Sequence, residues 1–381
     1  MATKTTKKSI NSKALTIKKP PIVFEETQVE LKKLSQMLDC PVLSYFKPPN
    51  GNIWPQDLYG IMECLKIIGK TDKLAIYIRS NGGQGMVSLR IINLLRAFTK
   101  KLILLAPSEC ASAATMVALG CDEIFMGPLS SLSPVDSSLT HPLSPVDKLN
   151  GSVPVSLDEL WRVLRLWKEA QQPDPVYAFK ERSENNLDFG FQGKKTVSMD
   201  KNDQTQENPY KYLYEYVHPL VFGAVDRNSS LSVNLCNEIL SYHLKDQKLI
   251  TKISHSLNYD YPAHGYPITF REAKKIGLNV TEASSEVLDV LNRLQLLYSE
   301  LTEEQITDYD NETYHDNSIY SLIETSGLQL TYQQNYDKFY RETEKRYIIL
   351  NDLSSWFKTV PAIPGKSKLS KEKFQTSKIY F

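Results

Sequence analysis

Residues 74–135 read LAIYIRSNGGQGMVSLRIINLLRAFTKKLILLAPSECASAATMVALGCDEIFMGPLSSLSPV, and this stretch decides the fold class. Residues 74–78 are short, apolar and β-branched, the pattern of a parallel strand buried on both faces. Arg79-Ser80-Asn81-Gly82-Gly83 breaks that run, and Val87, Ile91, Leu94, Leu95 and Phe98 then recur at helical spacing. Residues 102–106 repeat the strand pattern and stop at Pro107. The small residues Cys110-Ala111-Ser112-Ala113-Ala114 open a second helix over 113–119, and 122–126 reads as a third strand. Strand alternating with helix gives an α/β class with parallel pairing.

Two features of this stretch carry chemistry. The Gly82-Gly83 pair has no Cβ, so its backbone can approach a bound group and aim N–H groups at it. Ser112 stands at a strand-to-helix turn between alanines that clear room around its hydroxyl. A serine there, with a free N–H on the following residue, has the geometry of a nucleophile beside an oxyanion hole. The plainer readings are an N-cap for Ser112 and an ordinary turn for the glycines.

The order strand, S-x-G-G, helix, strand, A-S-A-x-T, helix, D-E-I strand, G-P-x-S resembles the Clp-protease/crotonase-like fold. Within it, the chain is similar to the serine dehydrogenase proteinase family, related to signal peptide peptidase A. The residues that carry the likeness include Ser80, Gly82, Gly83, Ala111-Ser112-Ala113, Thr115, Asp122-Glu123-Ile124, Met126-Gly127-Pro128 and Pro134-Val135-Asp136. Further along, His218-Pro219, His264-Gly265-Tyr266-Pro267-Ile268 and Glu272-Ala273…Gly277-Leu278 extend it, so it covers roughly residues 25–300. Asn81 stands where proline is usual, Ala114 where glycine follows the serine, and Ser133 where glycine precedes Pro134.

The resemblance implies a ββα superhelix, here with added C-terminal helices, and a serine peptidase working through an acyl-enzyme on Ser112. The implied oxyanion hole is Gly82 and Gly83 with the N–H of Ala113. A serine nucleophile needs a base, and the chain has six histidines. His264 is the first choice, because in Clp-type proteases the loop before the similar E-A…G-L helix comes close to the nucleophile. His218, before Pro219 at a helix break, is the second choice and His141 the third. His243, His255 and His315 read as surface residues. Asp136 falls where the related proteases carry their base, so it could orient a histidine; otherwise it caps a turn. A serine–lysine dyad would need Lys168 or Lys180.

The outer parts of the chain add limits. Lys+Arg of 45 against Asp+Glu of 44 leaves a formal charge of +1, which gives no basic field for nucleic acid. Five scattered cysteines without a C-x-x-C read as buried thiols of a reducing, cytoplasmic protein, with no metal site. Residues 1–24 read as a disordered basic tail without an apolar signal core, and no run is long enough to span a membrane. Residues 25–300 form the expected catalytic domain, in which Ser156 and Glu159 begin a capping box for a helix over 157–171. The polar segment 183–207 reads as a mobile insertion, and helical pieces over 210–258 are expected to break near Pro219 and near 226–230. Residues 301–360 read as a helical or irregular extension and 361–381 as a tail.

The expected function is therefore peptide-bond hydrolysis with no cofactor, on a peptide or protein substrate. Apolar residues after Tyr210 (Leu213, Val217, Leu220, Phe222, Leu235, Ile239, Leu240) suggest a homo-oligomer. Asn81 and Ala114 keep a second reading open, a catalytically inactive assembly or binding module. A crotonase-type acyl-CoA enzyme has no need of a serine at 112.

Overall fold

A computed structural model describes residues 15–136, 138–147, 151–156, 159–160, 162–163, 214, 216–362 and 373–381. Its centre is a mixed nine-stranded sheet. Strands β1 (Val42–Phe46), β2 (Thr71–Arg79), β3 (Thr99–Ala106) and β5 (Glu123–Met126) run parallel, with Val280–Glu282 parallel at the β5 edge. On the other side of β1, Ile319–Thr325, Leu328–Gln333, Ser355–Pro361 and Phe374–Ile379 continue the same sheet in antiparallel fashion.

The apolar run in β2 is continuous because the sheet is covered on both faces. Leu74, Ile76 and Ile78 join a core with α2 (Asp57–Ile68), α3 (Gly85–Arg96) and α4 (Ala113–Leu119). Ala75 and Tyr77 point the other way, into a core with α1 (Phe24–Leu38) and the helix Ser285–Leu301. Each buried leucine or isoleucine removed from water contributes about 1.5–3 kcal/mol, and the apolar packing on both faces holds the centre of the sheet in place.

Several expectations change. The region 301–360 is built of strands, not helices: besides those in the main sheet, Ile306–Asp308, Thr313–Asp316, Tyr336–Arg341 and Arg346–Asp352 form a second sheet of four. The end of the chain also pairs, since Phe374–Ile379 lies against Ser355–Pro361. The helix Pro219–Ser241 begins at the proline and runs unbroken through 226–230. Its polar run stays helical because the buried serines find partners: Ser232 Oγ donates to Val135 O (2.8 Å), and Ser229 Oγ meets Tyr259 Oη (3.3 Å). Leu235, Ile239 and Leu240, expected on a free face, are buried in this chain's own core. The capping box is present, with Ser156 N donating to Glu159 Oε2 and Glu159 N to Ser156 Oγ. The insertion 183–207, Leu213, Lys168, Lys180 and the basic residues 1–14 lie outside the described residues.

All five cysteines are buried and unpaired. Among the described residues, no helix is long and apolar enough to cross a membrane.

One buried acid makes the fold pH-sensitive. Glu324 is fully buried; its Oε1 accepts from Thr27 Oγ1 and Gln28 Nε2 (both 2.7 Å), while Oε2 has no hydrogen-bond partner among the described residues. Loss of water outweighs those bonds and pushes the carboxyl up to about 7. The native state therefore holds this proton more tightly than the unfolded chain. Stability from the protonated acid is full below the ordinary carboxylate range and is lost as pH rises through about 7. The span corresponds to roughly 3 kcal/mol. Denaturant titrations of wild type and Glu324→Gln at pH 5 and pH 8 should differ by that order, with the variant relatively more stable at pH 8. Parallel pH profiles would show that Glu324 does not titrate in this range.

Candidate active site

Beyond the C-terminal ends of the parallel strands, the chain forms a second, much shorter ladder. Ile53 bridges Gly83, Ser80 bridges Cys110, β4 (Glu109–Cys110) pairs with β6 (Ser131–Leu132), and Leu132 bridges Ile268. Each rung consists of one or two backbone pairs, such as Ala111 N to Ser80 O (2.9 Å) and Leu132 N to Ile268 O (3.0 Å). The ladder sets five sequence-distant segments side by side, and four of them continue into a residue of the site. Gly83, Ser112, Asp136 and His264 accordingly line one cavity of about 380 Å³.

Ser112 has φ 53° and ψ −118°, in a region that residues with a Cβ rarely adopt. Although it precedes α4, its side chain makes no capping bond. Its hydroxyl has no hydrogen-bond partner among the described residues, so the N-cap reading does not hold. What fixes the turn is a pair of neighbouring hydroxyls. Ser112 N donates to Ser133 Oγ (2.7 Å), whose hydroxyl donates in turn to Pro134 O (2.9 Å). Thr115 Oγ1 donates to Cys110 O (2.7 Å) and accepts from Ser133 N (3.0 Å), which ties both sides of the turn to α4.

The glycine pair fits against this turn. Gly82 has φ 113°, and a Cβ there would come within 2.7 Å of Ser112 Cβ and 3.1 Å of its Oγ. Gly83 has φ 146°, and a Cβ there would run into the Ile53 backbone. The bridge to Ile53 uses Gly82 O and Gln84 N, so Gly83 N–H is left without an acceptor among the described residues. Ala113 N–H, at the first position of α4, is likewise free. Two unspent backbone donors beside an unspent hydroxyl are the components of an oxyanion hole and its nucleophile.

His264 Nδ1 lies 2.9 Å from Asp136 Oδ1. The Asp136 carboxylate favours the imidazolium and raises the His264 pKa above its ordinary 6.5, against the opposing effect of burial. With Nδ1 engaged, Nε2 is the nitrogen left for the cavity. No hydrogen bond joins His264 to Ser112 Oγ. The chain matches no protein-family model and no curated protein. Geometry alone therefore carries the functional argument.

The other candidates have separate occupations. His218 is the N-cap of its helix, where Nδ1 accepts from Leu220 N (3.2 Å), and it does not line the cavity. His141 Nδ1 accepts from Leu143 N (3.1 Å) within a turn. His243 contacts Leu119 O (2.8 Å), His255 faces Asp260, and His315 is buried against Asp337, which corrects its reading as a surface residue. No lysine lines the cavity among the described residues. Asn81 turns outward to donate to Pro49 O (3.3 Å), and Ala114 is buried in α4 with its N–H on Ala111 O. Neither occupies the oxyanion donors. Sequence reasoning missed two contributions. Ser133, which in sequence is a departure from glycine, holds the Ser112 N–H, and the face Asn228, Leu231, Ser232 and Leu235 of the 219–241 helix forms a cavity wall. The i, i+3, i+4, i+7 spacing of that face was the available signal.

Because Asp136 holds the His264 proton, Asp136→Asn should lower the His264 pKa toward or below 6.5. An NMR titration of the imidazole protons measures this directly. An unchanged value would dissolve the pair as a functional unit.

Proposed function

We propose that the chain is a serine hydrolase that cleaves peptide bonds through an acyl-enzyme on Ser112. The observation that carries this reading is Ser112 itself, at φ 53° with its hydroxyl uncommitted, in one cavity with a bonded Asp136–His264 pair. A positive-φ serine costs of order 1–3 kcal/mol, and such strain is retained where the surroundings over-determine it, most often at active sites.

The chemistry follows from the positions. Ser112 Oγ attacks the scissile carbonyl carbon while His264 Nε2 takes the hydroxyl proton, and Asp136 stabilises the imidazolium that forms. The carbonyl oxygen becomes an oxyanion and accepts from Gly83 N–H and Ala113 N–H. Collapse breaks the C–N bond, and the leaving amine takes the proton from His264. A water molecule repeats the sequence on the ester, releasing the acid and restoring Ser112. The competent base is neutral His264, so turnover rises with pH through its raised pKa.

The mixed α/β sheet with its secondary ladder is compatible with the Clp-protease/crotonase-like fold that the sequence resembles. The lack of a Ser112–His264 hydrogen bond favours the second reading, an inactive module of the same fold. Catalytic hydrogen bonds are often long before substrate binds, which keeps the hydrolase reading ahead.

A fluorophosphonate probe separates the two. The wild type should be labelled at one serine, and Ser112→Ala should abolish labelling without loss of fold. His264→Ala should slow labelling roughly 10²–10⁴-fold, and Gly82→Ala should block it by driving a Cβ into Ser112. A wild type that is not labelled, or labelling that survives Ser112→Ala, would leave the inactive-module reading standing.

A further inference from the structure

A second cavity, of about 650 Å³, lies on the opposite side of the β1–β2 ends from Ser112. It opens beyond the C-terminal ends of two adjacent parallel strands, where ligands of open α/β sheets bind. Phe46 and Arg79, the last residues of β1 and β2, form its inner end. Pro48, Pro49, Ile319 and Tyr320 give it apolar walls, and the end of the 285–301 helix forms its mouth.

The charges are ordered along its depth. Arg79 is 8 % exposed. Its Nη1 donates to Lys47 O (2.8 Å), its guanidinium lies over the Phe46 ring, and its carboxylate neighbour among the described residues, Glu109, is 3.4 Å away and half-exposed. A guanidinium has five N–H donors, and the others have no acceptor among the described residues. At the mouth the sign reverses. Glu300, Glu303 and Glu304 are exposed there, and none has a cationic partner among the described residues. The helix ends at the same place with no basic residue in its last turn, so its carbonyl end adds further negative potential.

A buried cation and an acidic mouth, joined by apolar walls, match a molecule with an anion at one end and a cation at the other. We propose that this cavity binds a short peptide with a free α-carboxylate and a free α-ammonium group. The carboxylate meets the Arg79 fork, for which guanidinium geometry is suited, and the side chains lie along Pro48, Pro49 and Tyr320. The ammonium meets the three glutamates and the helix end. A plain carboxylate would leave the three glutamates at the mouth without a cation, and a plain amine would leave the Arg79 donors not used by Lys47 and Glu109 unmet.

The test is independent of any chemistry at Ser112. Full-length Ser112→Ala protein is titrated calorimetrically with leucyl-leucine, with leucyl-leucinamide, which lacks the carboxylate, and with N-acetyl-leucyl-leucine, which lacks the ammonium. Leucyl-leucine should bind once per chain, and each blocked peptide at least tenfold more weakly. In the Ser112→Ala background, Arg79→Gln should weaken leucyl-leucine at least tenfold. So should Ser299→Trp, which fills the cavity from an exposed helix position and leaves the arginine in place should Arg79→Gln fail to fold. No binding at millimolar peptide, equal binding of all three peptides, or binding untouched by Ser299→Trp would overturn the proposal.

Discussion

The site depends on a ladder that is weak wherever it is examined alone. Ile53 to Gly83, Ser80 to Cys110, Cys110 to Leu132 and Leu132 to Ile268 are single rungs or a two-residue pair. Isolated pairings of this size do not persist in water. They persist here because every segment leaves a strand or helix already packed on the central sheet: Ser80 follows β2, Cys110 follows β3, and Ile268 precedes the helix Phe270–Ile276. The large sheet supplies the stability, and the small ladder uses part of it to align five segments. Precision at Ser112 is thus a property of the whole α/β layer, and cavities opened in either core should loosen the site before they unfold the chain.

Ser112 shows how the local strain is held. Three features oppose relaxation of its backbone: the Ser133 hydroxyl on its N–H, the Thr115 hydroxyl that spans the turn, and the tight packing of Ala113 and Ala114 in α4. A fourth is an absence, since only a residue without Cβ at 82 leaves room for the Ser112 side chain. Ser133 is the informative member. A glycine there would leave the part-buried Ser112 N–H without this acceptor. The serine therefore contributes what a glycine could not.

How much of this was legible follows from periodicity and reach. Residues 74–78 and 102–106 announced themselves because strands buried on both faces cannot hide polar positions, and the structure places them in β2 and β3 with their neighbours extended by a few residues. The pairing of Asp136 with His264 was reachable only through the family resemblance, because the two are 128 residues apart and meet through the Leu132–Ile268 rung. The C-terminal strands were missed although Ser326-Gly327 is a turn signal and Gly327 has φ 83°. Their alternation is blurred by buried polar residues such as Ser321, Glu324, Thr325 and Gln329, each of which finds a partner that no local pattern reveals.

Those C-terminal strands are also what secures the Gly83 side of the site. Asp57, buried at the start of α2, accepts from four donors: Tyr45 Oη, Lys47 Nζ, Trp54 N and Ser321 Oγ. One carboxylate therefore joins β1, the loop after it, α2 and the strand Ile319–Thr325. Lys47 is buried with it, and losing one member of such a pair leaves an uncompensated charge, at a cost of about 3–5 kcal/mol. The loop so fixed carries Ile53, whose N–H and carbonyl grip Gly82 O and Gln84 N on either side of Gly83. The direction in which Gly83 aims its free N–H is set by that grip. The C-terminal part of the chain, outside the resemblance, thus acts on the candidate oxyanion hole through a single buried carboxylate.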